Sequence, residues 1–485
     1  MSSSKNNRSN DINRSNDLNI SKKAFLSSII ILLILMLMAG IMSKLIPAGS
    51  FERELLNGRE VIKTGTYKTV TSQKYPIWRW FTAPIEVLWG PENIIIITII
   101  LFILIVGGSF SLLSKSGVLK FSIEAVVNKF SDQKYYLLSA IVLIFMIFGA
   151  VLGTFEEIIP LVPVVITLAY SLGWDALTGL GMSLLAAGFG FASAIANPFS
   201  VGVAQKLAGI PMFSGAFFRI LVFLVIYSIL SIFLLQYSKK IEKNPEKSPV
   251  YEEDINVKKA IIRDDTQIIK KNKNMKKAVR WFISVVIAIL IVIMATSFVD
   301  YISDFALPLI ALLFLIGGVG SALISGMDKK KLLTNFWQGV MSIAPGIILI
   351  LMATSVKHII SQAGIMDTIL HYAAENIAGR GPFTAVILIY IFVLFMNFFI
   401  GSASAKAFLI MPILTPLADL IGINRQIAVL AFVFGDGFSN VIYPTNAVLL
   451  IGLGLTTVSY PKWFKWIIKL QIIIFIVTSV FLAIA

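Results

Sequence analysis

The sequence predicts an all-α, polytopic membrane protein made of two similar halves, and three observations carry that expectation. Of the 485 residues, 57% are hydrophobic and 14% charged, with a mean hydropathy of +0.87, whereas soluble domains carry about 25% charged residues. About 11 apolar runs have the roughly 20-residue length that crosses a bilayer. Two of these runs are interrupted at corresponding places, by Asn197-Pro198 and by Pro444-Thr445-Asn446.

Residues 1–23, MSSSKNNRSNDINRSNDLNISKK, are polar, Asn/Ser-rich and basic, and read as a disordered tail. The run Ala24–Ile46 has the length of a full span rather than of a signal-peptide core. Residues 47–75 read as an extramembrane loop, with a turn at Asn57-Gly58 of the kind that closes a small hairpin. Trp78, Trp80 and Trp89 flank the next run as an interfacial belt. Spans follow near 91–113, 135–152, 176–196 and 213–237, which complete a first membrane repeat over 24–238. Residues 239–278 form a charged linker, read as a solvated connector. The second membrane repeat, 279–485, holds runs near 281–299, 305–325, 341–356, 383–400, 426–442 and 462–485. Basic charge puts both tail and linker on the cytoplasmic side, while five spans between them put the two on opposite sides.

Composition excludes several functions. There is no cysteine, hence no thiolate metal or redox site. Only two histidines are present, His358 and His371, so no metal centre is expected, and no cofactor. No phosphate-binding Walker loop appears, nor a serine/histidine, paired-aspartate or zinc constellation, so the chain does not read as an ATP-driven pump or an enzyme. About half of the net charge of +15 lies in the tail and the linker, beside membrane runs, where basic residues set topology and meet anionic lipid head groups. The expected surroundings are therefore a lipid bilayer and a small-molecule substrate, not nucleic acid.

A shift of 249 positions superposes the halves: Pro163 falls on Pro412, Gly173 on Gly422, Gly188-Phe189 on Gly437-Phe438, and Asn197 on Asn446. In each half a short, Pro-containing segment with a polar entry, GTFEEIIPLVPVV from Gly153 and GSASAKAFLIMPILTP from Gly401, precedes a broken run, GFGFASAIANPFSVG and FGDGFSNVIYPTNAVL. Proline cannot donate to the helix ladder, and backbone groups freed in hydrocarbon must find partners or line a wet cavity. Such paired interruptions mark the binding site of secondary transporters, because half-helix ends present partial charges to an ion or polar solute. A channel is the weaker alternative, since channels repeat identical pore loops by oligomeric symmetry.

The stretches GTFEEIIPLVPVVITLAYSLGWDALTGLG, ANPFSVGVAQKLAGIP and GSASAKAFLIMPILTPLAD resemble the anaerobic C4-dicarboxylate carrier family of the DcuC and YfcC type, within the ion-transporter superfamily. The early IPAGSFER…GREVIKTGTY resembles the YfcC branch, which is associated with arginine/ornithine antiport. The resemblance covers residue 24 to the end. It implies two inverted repeats, each with a re-entrant hairpin and a discontinuous helix, in a homodimer of the plasma membrane whose transport domain moves against a scaffold.

The candidate site residues are the polar groups near the breaks. Thr154, Ser200, Ser402, Ser404, Asn440, Thr445, Asn197 and Asn446 are expected to converge on one cavity. Ionisable residues in membrane segments are functional candidates, and here Glu156, Glu157 and Asp436 face one cation, Lys406. Such an excess of carboxylates suits a basic amino acid, whose own carboxylate would meet Lys406 or a helix N-terminus, better than it suits a C4-dicarboxylate. The same carboxylates could instead hold a coupling Na⁺ or carry H⁺. Arg219 is expected to snorkel to an interface, and Lys357, His358 and His371 to be interfacial.

Overall fold

The computed structural model describes residues 22–56, 59–70, 75–263, 274–296 and 305–485. Most of the tail and residues 264–273 of the linker lie outside them. α1 (Lys22–Leu45) leads into short antiparallel strands, β1 (Gly49–Ser50) with β4 (Lys68–Thr69), and β2 (Arg53–Leu56) with β3 (Arg59–Ile62). The pairing of Leu56 with Arg59 is that of the expected hairpin; its turn residues, Asn57-Gly58, fall outside the described set. Arg53 holds the hairpin to the membrane body through Asp367, each carboxylate oxygen 3.0 Å from Nη2.

The first half continues through α2 (Arg79–Glu86), α3 (Asn93–Lys115), α4 (Val118–Phe130), α5 (Lys134–Ile147), α6 (Val162–Ser171), α7 (Ala176–Leu180), α8 (Ala186–Ser193), α9 (Val203–Leu207) and α10 (Ala216–Lys243). α11 (Tyr251–Arg263) lies in the linker. The second half comprises α12 (Met275–Thr296), α13 (Ala306–Ile324), α14 (Lys329–Ile343), α15 (Pro345–Gln362), α16 (Met366–Ala378), α17 (Pro382–Asn397), α18 (Ala403–Ile421), α19 (Arg425–Phe438), α20 (Ala447–Gly454) and α21 (Tyr460–Ile484). Among the described residues nine helical stretches are long and apolar enough to cross a membrane, and Ile159–Ser171 and Pro382–Asn397 are shorter apolar helices. The expected run at 426–442 is not one span, because its helix stops at Phe438.

Burial separates the core from the lipid-facing shell. In the stretch Ala176–Leu207, 89% of the best apolar window is buried, against 28% in Phe25–Leu45. α8, with the sequence AAGFGFAS, is buried at every residue. Small residues let membrane helices approach closely: a Cβ on Gly437 would stand 2.3 Å from Ala192 Cα, and one on Gly188 2.3 Å from Val441. These two contacts exchange under the 249-residue shift. Phe189 meets its own counterpart, Phe438, edge-on at 5.5 Å between centroids. Reciprocal contacts of this kind are the pattern a local two-fold generates.

The caps repeat as well. Gly173 (φ 95°) follows α6 and Gly422 (φ 78°) ends α18, both left-handed, a conformation that favours glycine. Two residues later Asp175 caps α7 through Thr178 N, and Asn424 caps α19 through Gln426 N.

The described part of the linker is docked, in contrast to the solvated connector expected. Asp254 is 3% exposed and accepts from Tyr170 Oη at 2.9 Å, from Ala176 N at 2.7 Å and from the Thr457 hydroxyl. Burial pushes its carboxyl up to about 6. Glu253 pairs with Lys462 at 2.5 Å, and Lys258 donates to Gly173 O at 2.9 Å. A helix with sequence charge on every face thus straps both halves.

Candidate functional site

Each half breaks a helix in the buried centre and re-satisfies the freed groups differently. At the first break Ala194 ends α8 in a left-handed conformation, φ 41°, a state that costs a non-glycine residue about 1–3 kcal/mol. Beyond it Asn197 adopts extended backbone, φ −60° and ψ 112°, and its Oδ1 accepts from Phe199 N at 2.9 Å and Ser200 N at 3.2 Å. Arg219 serves this break rather than snorkelling. It is 1% exposed, and its guanidinium donates to Ile195 O at 3.0 Å and to Ser214 O at 2.7 Å. A carbonyl left without a helical partner in hydrocarbon needs such a donor, which holds the arginine inside.

At the second break Asn446, φ −81° and ψ 116°, accepts from Leu449 N at 3.2 Å, the counterpart of the Asn197–Ser200 bond. The freed carbonyls find aromatic donors: Trp463 Nε1 donates to Val441 O at 2.7 Å, and Tyr460 Oη to Ile442 O at 2.8 Å.

Beside this break lies a closed ionic network. Lys406 and Asp436 are both 0% exposed, with Nζ 2.5 Å from Oδ1. Nζ also donates to Asn397 Oδ1. Asn397 Nδ2 reaches Asp436 O (2.9 Å), Ser439 Oγ (2.7 Å) and Asn440 Oδ1 (2.9 Å), and Asn446 Nδ2 donates to Asn440 Oδ1 at 3.1 Å. Asp436 Oδ2 is buried with no hydrogen-bond partner among the described residues. Asn397 and Ser439 escaped the sequence reading, although a lone asparagine in the apolar run IYIFVLFMNFFI is the signal that would have found the first.

A cavity of about 170 Å³ opens next to the network. Glu156, Ser402, Thr445 and Asn446 line it, together with Lys357 and Thr354. Two helix N-termini face it, that of α18 behind Ser402 and that of α20 behind Asn446. The Glu156 side chain is exposed to this space, and no cation pairs with it among the described residues. Lys357 at the rim pairs with Glu92, and His358 meets Glu86 at 3.4 Å. A wider vestibule of about 470 Å³, lined by Arg53, Asp367 and Ser361, shares Lys357 with the cavity.

Four of the expected residues therefore meet in one cavity, and Asn440, Lys406 and Asp436 stand behind it in the network. The rest lie off it, so the single shared cavity expected from sequence is not what the fold builds. Thr154 and Ser200 are buried with hydroxyls that lack partners among the described residues. Gly153 is pressed against Asn197, a Cβ there falling 2.3 Å from Oδ1, and Ser404 Oγ donates to Phe199 O at 2.9 Å. These contacts bring both hairpin entries to the first break. Glu157 Oε2 accepts from Phe155 N at 3.2 Å, within its own turn.

The profile described as DcuC, C4-dicarboxylate anaerobic carrier, matches residues 25–485. The "Putative basic amino acid antiporter YfcC" of Escherichia coli (strain K12) is 32% identical over 392 residues, 79% of this chain and 76% of its own. An uncharacterized protein of Haemophilus influenzae (strain ATCC 51907 / DSM 11121 / KW20 / Rd) is 26% identical over 390 residues, 80% of this chain and 75% of its own. The YdaH transporter of Alcanivorax borkumensis, a crystal structure, is 16% identical, covers 95% of this chain and 97% of its own, and superposes with a TM-score of 0.39.

Proposed function

Because the chain belongs to the DcuC family of C4-dicarboxylate anaerobic carriers, a family of multi-pass membrane transporters, we propose that its cargo is a basic amino acid, exchanged as arginine against ornithine. The observation that carries this reading is the charge left in the cavity. Lys406, the one cation the sequence offered to a substrate carboxylate, is spent on Asp436, and Lys357 is held by Glu92. Glu156 has no cationic partner among the described residues and is open to the cavity. A guanidinium or ammonium satisfies that carboxylate, and the substrate's own carboxylate meets the N–H groups at the starts of α18 and α20, where the helix dipoles favour negative charge. A dicarboxylate gains the second interaction and is repelled by the first. The name of the Escherichia coli relative agrees with this choice.

The family description supports a second reading, a C4-dicarboxylate, and the paired helix N-termini are the feature that favours it. Uptake into proteoliposomes separates the two. Labelled arginine should enter vesicles loaded with ornithine and be competed by lysine but not by succinate; uptake of succinate with indifference to arginine would reverse the assignment.

The reciprocal contacts of Phe189, Gly188 and Gly437 with their counterparts support an inverted arrangement of the two halves, with Asn197 and Asn446 at mid-membrane. By family resemblance the working unit is a homodimer.

A further inference from the structure

We propose that Lys406 is a tethered counter-cation, filling at the second helix break the place where a coupling Na⁺ would bind, so that this protein moves its substrate without Na⁺. The inference goes beyond the substrate assignment and does not depend on it.

The surroundings of the ammonium are those of an alkali-ion site. Its direct acceptors are oxygens, Asp436 Oδ1 at 2.5 Å and Asn397 Oδ1, and the Asn440 amide oxygen stands one hydrogen bond away. Hard cations take oxygen ligands of this type, carboxylate and amide carbonyl together. The location matches as well. Asp436 and Ser439 belong to the last turn of α19 and the residue that caps it, the negative end of a half-helix, where discontinuous helices coordinate coupling cations. Lys406 enters from the second turn of α18 and is 0% exposed. Its charge therefore answers to Asp436 and the helix end, not to solvent.

A purely structural pair is a poor explanation of this arrangement. Two ions buried together gain little over apolar residues of the same size, and here one carboxylate oxygen, Asp436 Oδ2, makes no hydrogen bond among the described residues. Nor does the fold's repeat require a lysine: the position 249 residues earlier is Glu157. A tethered ammonium supplies the positive charge permanently, so the empty and loaded carrier differ only by the substrate.

The test uses the full-length protein purified in detergent and reconstituted in liposomes, with choline chloride replacing NaCl at constant ionic strength. Wild-type uptake of labelled arginine, or of labelled succinate if arginine is not carried, should change by less than about twofold when Na⁺ is removed, and its melting temperature should not respond to NaCl. Lys406→Ala vacates a cation-sized space beside Asp436. NaCl should then raise its melting temperature by about 2–4 °C over choline chloride, and Lys406→Ala/Asp436→Asn should lose that response. Lys406→Arg should remain indifferent to Na⁺. A wild-type protein that loses uptake about tenfold in choline, or is stabilised by NaCl, overturns the proposal; so does a folded Lys406→Ala with no preference for Na⁺. If Lys406→Ala does not fold, the wild-type measurements decide alone.

Discussion

Replacing Glu156 by Gln keeps the shape of the side chain and deletes its charge. The residue faces a cavity of about 170 Å³ and has no cationic partner among the described residues, so folding should be spared and only the solute should notice. The energy at stake follows from its exposure. An ion pair at about 4 Å is worth roughly 1 kcal/mol in bulk water and roughly 4 kcal/mol at the effective dielectric near a protein surface. A water-accessible cavity is taken to lie between these limits, so the loss in arginine affinity should fall between about 5-fold and about 900-fold. The assay is the concentration dependence of labelled arginine uptake in proteoliposomes, with citrulline as the uncharged isostere. Wild-type protein should prefer arginine, and Glu156→Gln should lose most of that preference, while Glu157→Gln, whose wild-type carboxylate turns back onto Phe155 N, should lose less. An arginine KM unchanged within about twofold in Glu156→Gln, or a larger effect at Glu157, would refute the assignment of the cavity's charge.

The remaining expectations concern the scaffold of the site. Asp436→Asn leaves the Lys406 ammonium buried without its counter-ion, which should cost about 3–5 kcal/mol and show as a lowered melting temperature together with lost uptake; a variant as stable as wild type would mean the pair is unimportant. Arg219→Met removes charged donors from Ile195 O and Ser214 O, at about 1.5–3 kcal/mol for each such bond. It should destabilise the protein more than Lys240→Met, an exposed change on the same helix, and equal melting temperatures would return Arg219 to the interface. Asp254 carries a sign opposite to that of a paired carboxylate. Burial raises its value to about 6 from the usual 3.8, so the folded chain holds the proton more tightly than the unfolded one, and this group's contribution to stability is fully present below about pH 4 and falls as pH rises to about 6. The melting-temperature difference between wild type and Asp254→Asn should therefore change across pH 4–6 and be flat above pH 7; a flat difference throughout would show that the carboxyl is not perturbed.

Much of the architecture was legible because its cause is local. A span is a run of apolar residues, a break is an Asn within two residues of a Pro, and a cap is a Gly or an Asp/Asn at a fixed distance, so Asn197 and Asn446 with their matching caps could be read from the chain alone. Arg219 could not. Snorkelling and carbonyl capping use the same side chain, and only the position of Ile195, 24 residues away, chooses between them. The linker was misread for a related reason: composition reports its charge but not that Tyr170, Ala176 and Thr457 converge on Asp254.

The sequence by itself determined that this chain lives in a bilayer, that it has two halves of one pattern, and that each half sets polar residues beside an interrupted helix. These are consequences of hydrophobic length and of proline's missing donor, which do not depend on partners. Only the tertiary structure decided which charges are free. Lys406 and Asp436 lie 30 residues apart and cancel one another through space, whereas Glu156 lines the cavity with no cation paired to it among the described residues. Pairing depends on distances between helices brought together from different parts of the chain, and no spacing along the sequence encodes them.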